Sequence, residues 1–191
     1  HVLSKMIFEI IALMRAGRIH AGKPGDQLRQ EIQSGHRQML EAVEASNTDA
    51  LTGLFNRRCF DKALDDQLIA GRPFCLGLID LDNFKSINDT HGHPVGDEVL
   101  RAVAREGRQI AGQEATLYRY GGEELAIIIP GEDSVRALTL LEQWRTQVAQ
   151  RPWREPELVV TFSAGLGLWR QESAEQLLAR VAEVVAYDPQ A

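Results

Sequence analysis

Asp80 and Asp82 close an apolar run in LIDLDNF, and further along the stretch YRYGGEELAIII sets Glu123 and Glu124 directly after Gly121 and Gly122. Two carboxylates at a strand's end suit a hard cation, because Mg²⁺ takes oxygen ligands and keeps open positions for substrate phosphates. Side chains alternate along a strand, so Asp80 and Asp82 share a face while Leu81 turns to the core. If the segment carrying YRYGGEEL pairs beside that strand, Glu123 reaches the same edge. Three carboxylates gathered there would repel one another unless one or two Mg²⁺ ions lay between them, an arrangement that activates a hydroxyl and stabilises a leaving phosphate. Lys85, Asn88 and Asp97 follow the first cluster. Lysine can neutralise phosphate, and asparagine with aspartate can read a guanine edge. Taken singly, each acidic pair reads as a strand-ending turn or a solvated face; together they favour a nucleotide site.

These residues need a strand, a turn and helices to hold them. PFCLGLIDL is a short apolar run bounded by turn residues and reads as a buried central strand. TLYRY and EELAIII flank Gly-Gly and read as a hairpin, with the glycines supplying positive φ. Apolar residues at helical intervals predict helices over 56–70, 95–111 and SVRALTLLEQWRTQVAQ, with a closing helix in AEQLLARVAEVVAY. LVVTFSAGLGLW supplies one or two further strands. This order predicts an α/β fold, a mixed central β-sheet covered by helices, over residues 47–191.

Residues 1–46 are read as an N-terminal helical segment for signal coupling or dimerisation. A first helix is expected over 2–15 and a second from Asp26 to Ser46, with Leu28, Ile32, Met39 and Val43 on one stripe. The stripe is too short to decide between a dimerising seam and a cover for the following domain. The chain starts with His1, so an upstream domain is expected.

The 191 residues are 44% hydrophobic and 25% charged, an ordinary globular composition. A formal charge of −6 argues against a nucleic-acid surface, which needs clustered Lys and Arg. Cys59 and Cys75 read as free thiols in a reducing, cytoplasmic setting. MIFEIIALM is far shorter than a membrane span.

DALTGLFNRR at 49–58, LIDLDNFKSINDTHGHPVGDEVL at 78–100 and YRYGGEEL at 118–125 together resemble the GGDEF domain of diguanylate cyclases, here as a GGEEL variant. The resemblance implies a nucleotidyl-cyclase palm-like fold that condenses two GTP into cyclic di-GMP with release of two pyrophosphates. It implies a homodimer, since each domain holds one GTP, and Mg²⁺, with Mn²⁺ as the substitute ion. Asp80, the Leu81 carbonyl and Glu123 match the metal ligands, and Glu123 is also associated with activating the 3′-hydroxyl. Asn88 and Asp97 match the guanine contacts. Lys85 with the backbone at Asn83 and Phe84 matches the phosphate contacts, and Gly121 and Gly122 line the substrate site. Asp82, Glu124 and Arg119 receive supporting roles. An upstream sensor domain or a regulatory protein is the expected source of input.

The chain departs from the family pattern in three places. An inhibitory Arg-x-x-Asp product site is replaced by Gly112 and Ala115, and Leu125 stands for the usual phenylalanine of the turn. The final helix ends VAEVVAYDPQA, with Pro189 where a phosphate-binding lysine is usual. The third departure keeps a second reading open, a degenerate domain that binds GTP or a partner without turnover. His91 and His93 in THGHP are read as structural.

Overall fold

A computed structural model describes residues 24–155 and 157–185. The chain divides into two units, His1–Ser46 and Asn47–Ala191. In the first, helix α1 spans Pro24–Asn47, close to the expected second helix. Ile32 of the stripe is 44% exposed; the helix expected over 2–15 lies outside the described residues.

The second unit runs α2 (Arg57–Ala70), β1 (Phe74–Leu81), α3 (Phe84–His91), α4 (His93–Ala111), β2 (Thr116–Arg119), β3 (Glu124–Pro130), α5 (Ser134–Gln150), β4 (Phe162–Leu168) and α6 (Ala174–Val185). The strands form one sheet in the order β2-β3-β1-β4. The α/β architecture with a helix-covered sheet is as expected, but the three ladders are all antiparallel rather than mixed. The cause is the connectivity. Strands β1 and β2 run the same way, as do β3 and β4, yet the β2–β3 hairpin places β3 between β1 and β2, and β1 lies between β3 and β4. Same-direction strands are therefore never neighbours.

Strand β1 is central, and its alternating side chains feed two cores. Cys75, Ile79 and Leu81 join Leu125, Ile127 and Ile129 of β3 against Val99 and Val103 of α4 and Trp144 of α5. Phe74, Leu76 and Leu78 join Ala126 and Ile128 against Phe60 and Leu64 of α2 and Leu177 and Val181 of α6. By the same alternation Asp80 belongs to the face that carries α2 and α6.

One element differs from the sequence reading. Helix α3 is an additional short helix, entered through Asn83 in the left-handed conformation at φ 54° with no side-chain cap. An eight-residue polar helix without a capping signal carries little periodicity to detect. LVVTFSAGLGLW yields one strand: Leu158 and Val160 are buried in the core, but the β1–β4 ladder begins at Phe162.

Candidate functional site

The β1–β3 ladder ends with Asp80 opposite Glu124, and β4 places Ser163 opposite Asp80 on the other side. Just past that rung the Leu81 amide donates to the Glu123 carbonyl at 3.3 Å. Asp80 and Glu123, far apart in sequence, are thereby brought to one sheet edge. Asp80 Oδ1 is buried and has no hydrogen-bond partner. Burial pushes the Asp80 carboxyl above the usual carboxylate range, and the negative charges of Glu123, Glu124 and Asp82 push it further. A buried, unpartnered carboxylate oxygen beside a second carboxylate fits a divalent cation, which would satisfy the oxygen and cancel the repulsion.

The third carboxylate is used differently from the expectation. Asp82 accepts from Thr161 Oγ1 at 2.6 Å and from Ser163 Oγ at 2.7 Å, and its amide donates to the Thr161 carbonyl at 3.0 Å. These bonds tie Asp82 to the segment entering β4, so it anchors the turn instead of completing a triad of ligands. Among the described residues no three metal-capable side chains converge. The donors that fit a cation here are Asp80 and Glu123, with the Leu81 carbonyl at the same rung.

The glycines also act otherwise than expected. Neither Gly121 nor Gly122 has positive φ, because the connection spans residues 120–123 rather than a two-residue turn. Tyr120 and Gly121 both donate to the Glu124 carbonyl, at 2.9 and 3.0 Å. A Cβ on Gly121 would lie 2.1 Å from Glu124 Oε2, so a larger residue there would make the exposed Glu124 carboxylate swing aside. Glu124 thus closes the hairpin with its backbone, and its exposed carboxylate lies against Gly121.

Arg119 holds the turn from beneath. Its Nε donates to the Gly121 carbonyl at 2.8 Å and its Nη2 to the Gly122 carbonyl, while its Nη1 reaches Asp49 Oδ1 at 3.3 Å. Asp49 accepts in addition from the Thr52 amide at 2.8 Å and Thr52 Oγ1 at 2.6 Å. Arg57 lies 3.7 Å over the Tyr120 ring. DALTGLFNRR is therefore the brace of the acidic turn, a role that sequence reading left unassigned; the local signal was Asp-x-x-Thr, a side-chain-to-backbone turn pattern.

Burial favours the neutral Asp49 carboxyl, but the Thr52 hydrogen bonds and the Arg119 charge outweigh it and hold the group below the usual range. A depressed carboxylate contributes stability above its unfolded value and loses it as pH falls through the folded one. Asp49→Asn is therefore expected to be less stable than the unmodified chain at neutral pH. The gap should close as pH drops below about 4, as followed by urea unfolding across pH; a gap that persists into acid would contradict this assignment.

Helix α3 presents the remaining candidates. With no side-chain cap at Asn83, the first-turn amides are open to an anion, which helix N-termini favour. Lys85 is exposed on that turn. Asn88 lies further along α3, where its side chain abuts α4: a Cβ on Gly96 would fall 2.1 Å from Asn88 Oδ1. Gly96 thus leaves room for the Asn88 amide against α4, and the following residue, Asp97, is partly exposed and lies 3.7 Å from Arg101. A cavity of about 230 Å³, lined by Asp80, Tyr120, Glu124 and Ala182 among others, opens between the sheet edge and α6. Pro189 and the rest of the tail lie outside the described residues.

The β-α-β-β-α-β order with its antiparallel sheet is the split βαβ class of α/β domain, here with an acidic edge at the end of the central strand and an uncapped helix start beside it. Residues 46–187 match the family model described as diguanylate cyclase, GGDEF domain, and the chain belongs to the GGDEF family. It is 32% identical over 156 residues to the diguanylate cyclase VdcA of Vibrio cholerae, covering 78% of this chain and 46% of that protein. It is 38% identical over 154 residues to the response regulator PleD of Caulobacter vibrioides, covering 75% of this chain and 34% of that one. Against the first relatives matched, the chain spans between 25% and 46% of their length. Among solved structures, the coiled coil and GGDEF domain of DgcB from Caulobacter crescentus in complex with c-di-GMP superposes with TM-score 0.77 at 29% identity, covering 85% of this chain and 91% of that one. The diguanylate cyclase SiaD of Pseudomonas aeruginosa, solved with its activator SiaC, gives TM-score 0.69 at 28% identity, covering 96% and 83%.

Proposed function

We propose that this chain is a Mg²⁺-dependent diguanylate cyclase module that works as a symmetric pair, converting two GTP into cyclic di-GMP and two pyrophosphates. The observation that carries the reading is the buried, unpartnered Asp80 oxygen beside Glu123 at one sheet edge. Asp80, the Leu81 carbonyl and Glu123 would hold the ions, which when bound lower the pKa of a coordinated hydroxyl and neutralise phosphate charge. Asn88 and Asp97 hold the guanine edge by amide and carboxylate hydrogen bonds. Lys85 and the first amides of α3, at Asn83 and Phe84, receive phosphate oxygens. Glu123 orients and deprotonates the 3′-hydroxyl, while Arg119 keeps the Gly121–Gly122 turn at the height that reaction requires.

Each 3′-oxygen forms a bond to the α-phosphorus of the other GTP, and each pyrophosphate leaves with the broken P–O bond's electrons. One domain supplies one nucleotide, so two must face each other, and the two-fold product matches a two-fold pair. The N-terminal segment suits that pairing and the receipt of input from a sensor domain or an activating protein; in SiaD an activator is bound. Free thiols and the absence among the described residues of a helix able to cross a membrane fit a cytoplasmic setting.

The test is incubation of the purified chain with GTP and Mg²⁺, reading product by chromatography. Cyclic di-GMP that disappears with EDTA is the expected result. A folded, dimeric chain that binds GTP without forming product would overturn the cyclase reading in favour of a binding module.

A further inference from the structure

Helix α4 carries Arg101, Arg105 and Arg108 at intervals of four and three, which places them on one stripe. With Leu51, Thr52 and Gln109 they line a groove of about 420 Å³. The chain as a whole carries a charge of −6, so three arginines around one groove run against its average. Among the described residues their only carboxylate partner is Asp97, 3.7 Å from Arg101 and half exposed. Three planar guanidinium forks with one weak acidic neighbour match a ligand with several phosphate oxygens in a row. The groove's size suits a small molecule.

The floor of this groove belongs to the hydrogen-bond chain already described. Arg108 Nη2 donates to the Thr52 carbonyl at 2.9 Å. Thr52 donates to Asp49 through both its amide and its hydroxyl, Asp49 pairs with Arg119, and Arg119 holds the Gly121 and Gly122 carbonyls. An anion that recruits Arg108 draws on the same guanidinium whose Nη2 holds the Thr52 carbonyl. From there the path to the acidic turn runs through the two Thr52–Asp49 hydrogen bonds, the Asp49–Arg119 ion pair and the two Arg119 bonds to the turn carbonyls.

We propose that the Arg101–Arg105–Arg108 groove is an effector site for an oligophosphate, either free or as the triphosphate of a nucleotide, and that its occupancy alters the order of the Gly121–Gly122 turn. The regulatory consequence rests on the cyclase reading; binding and the change in the turn do not. The test therefore uses the full chain in EDTA without GTP, titrated calorimetrically with inorganic tripolyphosphate and, in parallel, with CTP. Arg101→Gln/Arg105→Gln is expected to weaken binding by roughly tenfold or more, and an unchanged melting temperature shows that these exposed substitutions leave the fold intact. Tighter binding of CTP assigns the nucleotide form, and tighter binding of tripolyphosphate the free one. Hydrogen exchange of residues 118–124 should change on adding the tighter ligand to the unmodified chain and stay flat in the double variant. Equal affinity in the double variant, loss of binding on Asp80→Asn, or no response in residues 118–124 would each overturn the proposal. Absence of cyclase activity would leave these measurements interpretable.

Discussion

Glu123→Gln is expected to lower cyclic di-GMP formation by roughly a thousandfold while leaving the hairpin in place. The size of the effect comes from the two jobs proposed for one carboxylate. Gln cannot take the hydroxyl proton, and as a neutral ligand it leaves the developing phosphate charge less well balanced, where loss of one preorganised electrostatic group costs about a hundred- to a thousandfold. The hairpin survives because Glu123 joins the sheet through its carbonyl, which accepts from the Leu81 amide, and that bond is indifferent to the side chain. Removing one of the acids around Asp80 also relieves the repulsion acting on that buried carboxyl. The variant should therefore melt no lower than the unmodified chain in EDTA while losing most of the stabilisation that Mg²⁺ adds. Single-turnover product formation and melting with and without Mg²⁺ check both halves. Retention of more than a tenth of the activity would remove Glu123 from the chemistry.

The second large effect concerns stability. Trp144 is fully buried on α5; its Nε1 donates to the Val103 carbonyl of α4 at 3.0 Å, and its ring lies 5.1 Å from Phe162 at the start of β4. One side chain thus joins two helices to the strand whose first residues anchor Asp82. Trp144→Ala removes that packing and leaves a cavity too enclosed to collapse, a change that typically costs about 3–5 kcal/mol. Urea unfolding should show it as a lower midpoint with the slope preserved. Trp144→Phe keeps most of the volume and should recover more than half of the loss. A cost below about 1 kcal/mol for Trp144→Ala would show that α5 repacks freely, because such values belong to sites that relax.

Much of the fold was legible because its signals are local and strong. PFCLGLIDL is a strand in any context that buries both faces, and the helices over 57–70, 93–111 and 134–150 announce themselves by period. The juxtaposition of Asp80 with the acidic turn was also legible, since a hairpin beside the central strand brings them together. Direction of pairing was not, because it depends on which strands become neighbours, and nothing in an individual strand encodes that. The site's finer contacts were not legible for a related reason. Whether Asp82 faces a cation or Thr161 and Ser163 is decided by residues some eighty positions away, and the tight packing over Gly121 comes from the Glu124 side chain folding back. Asp49 and Thr52 could have been found from their spacing, but their partner Arg119 is contributed by another strand.

The two ends of the β1–β3 ladder are chemically unlike. One end pairs Phe74 with Pro130 and Cys75 with Ile129, while the other pairs Glu124 with Asp80, whose own Oδ1 has no partner. Forming this ladder closes a loop that contains two helices and a strand, and formation of β4 closes a longer one, so its pairing is entropically slow. Burial favours pairing at the apolar end while charge opposes the acidic rung, so that rung should be the last to close. Added divalent cation should accelerate that late phase and slow the first opening of the sheet. Nascent domains would then complete the Asp80–Glu124 rung only as a cation arrives to offset its charge.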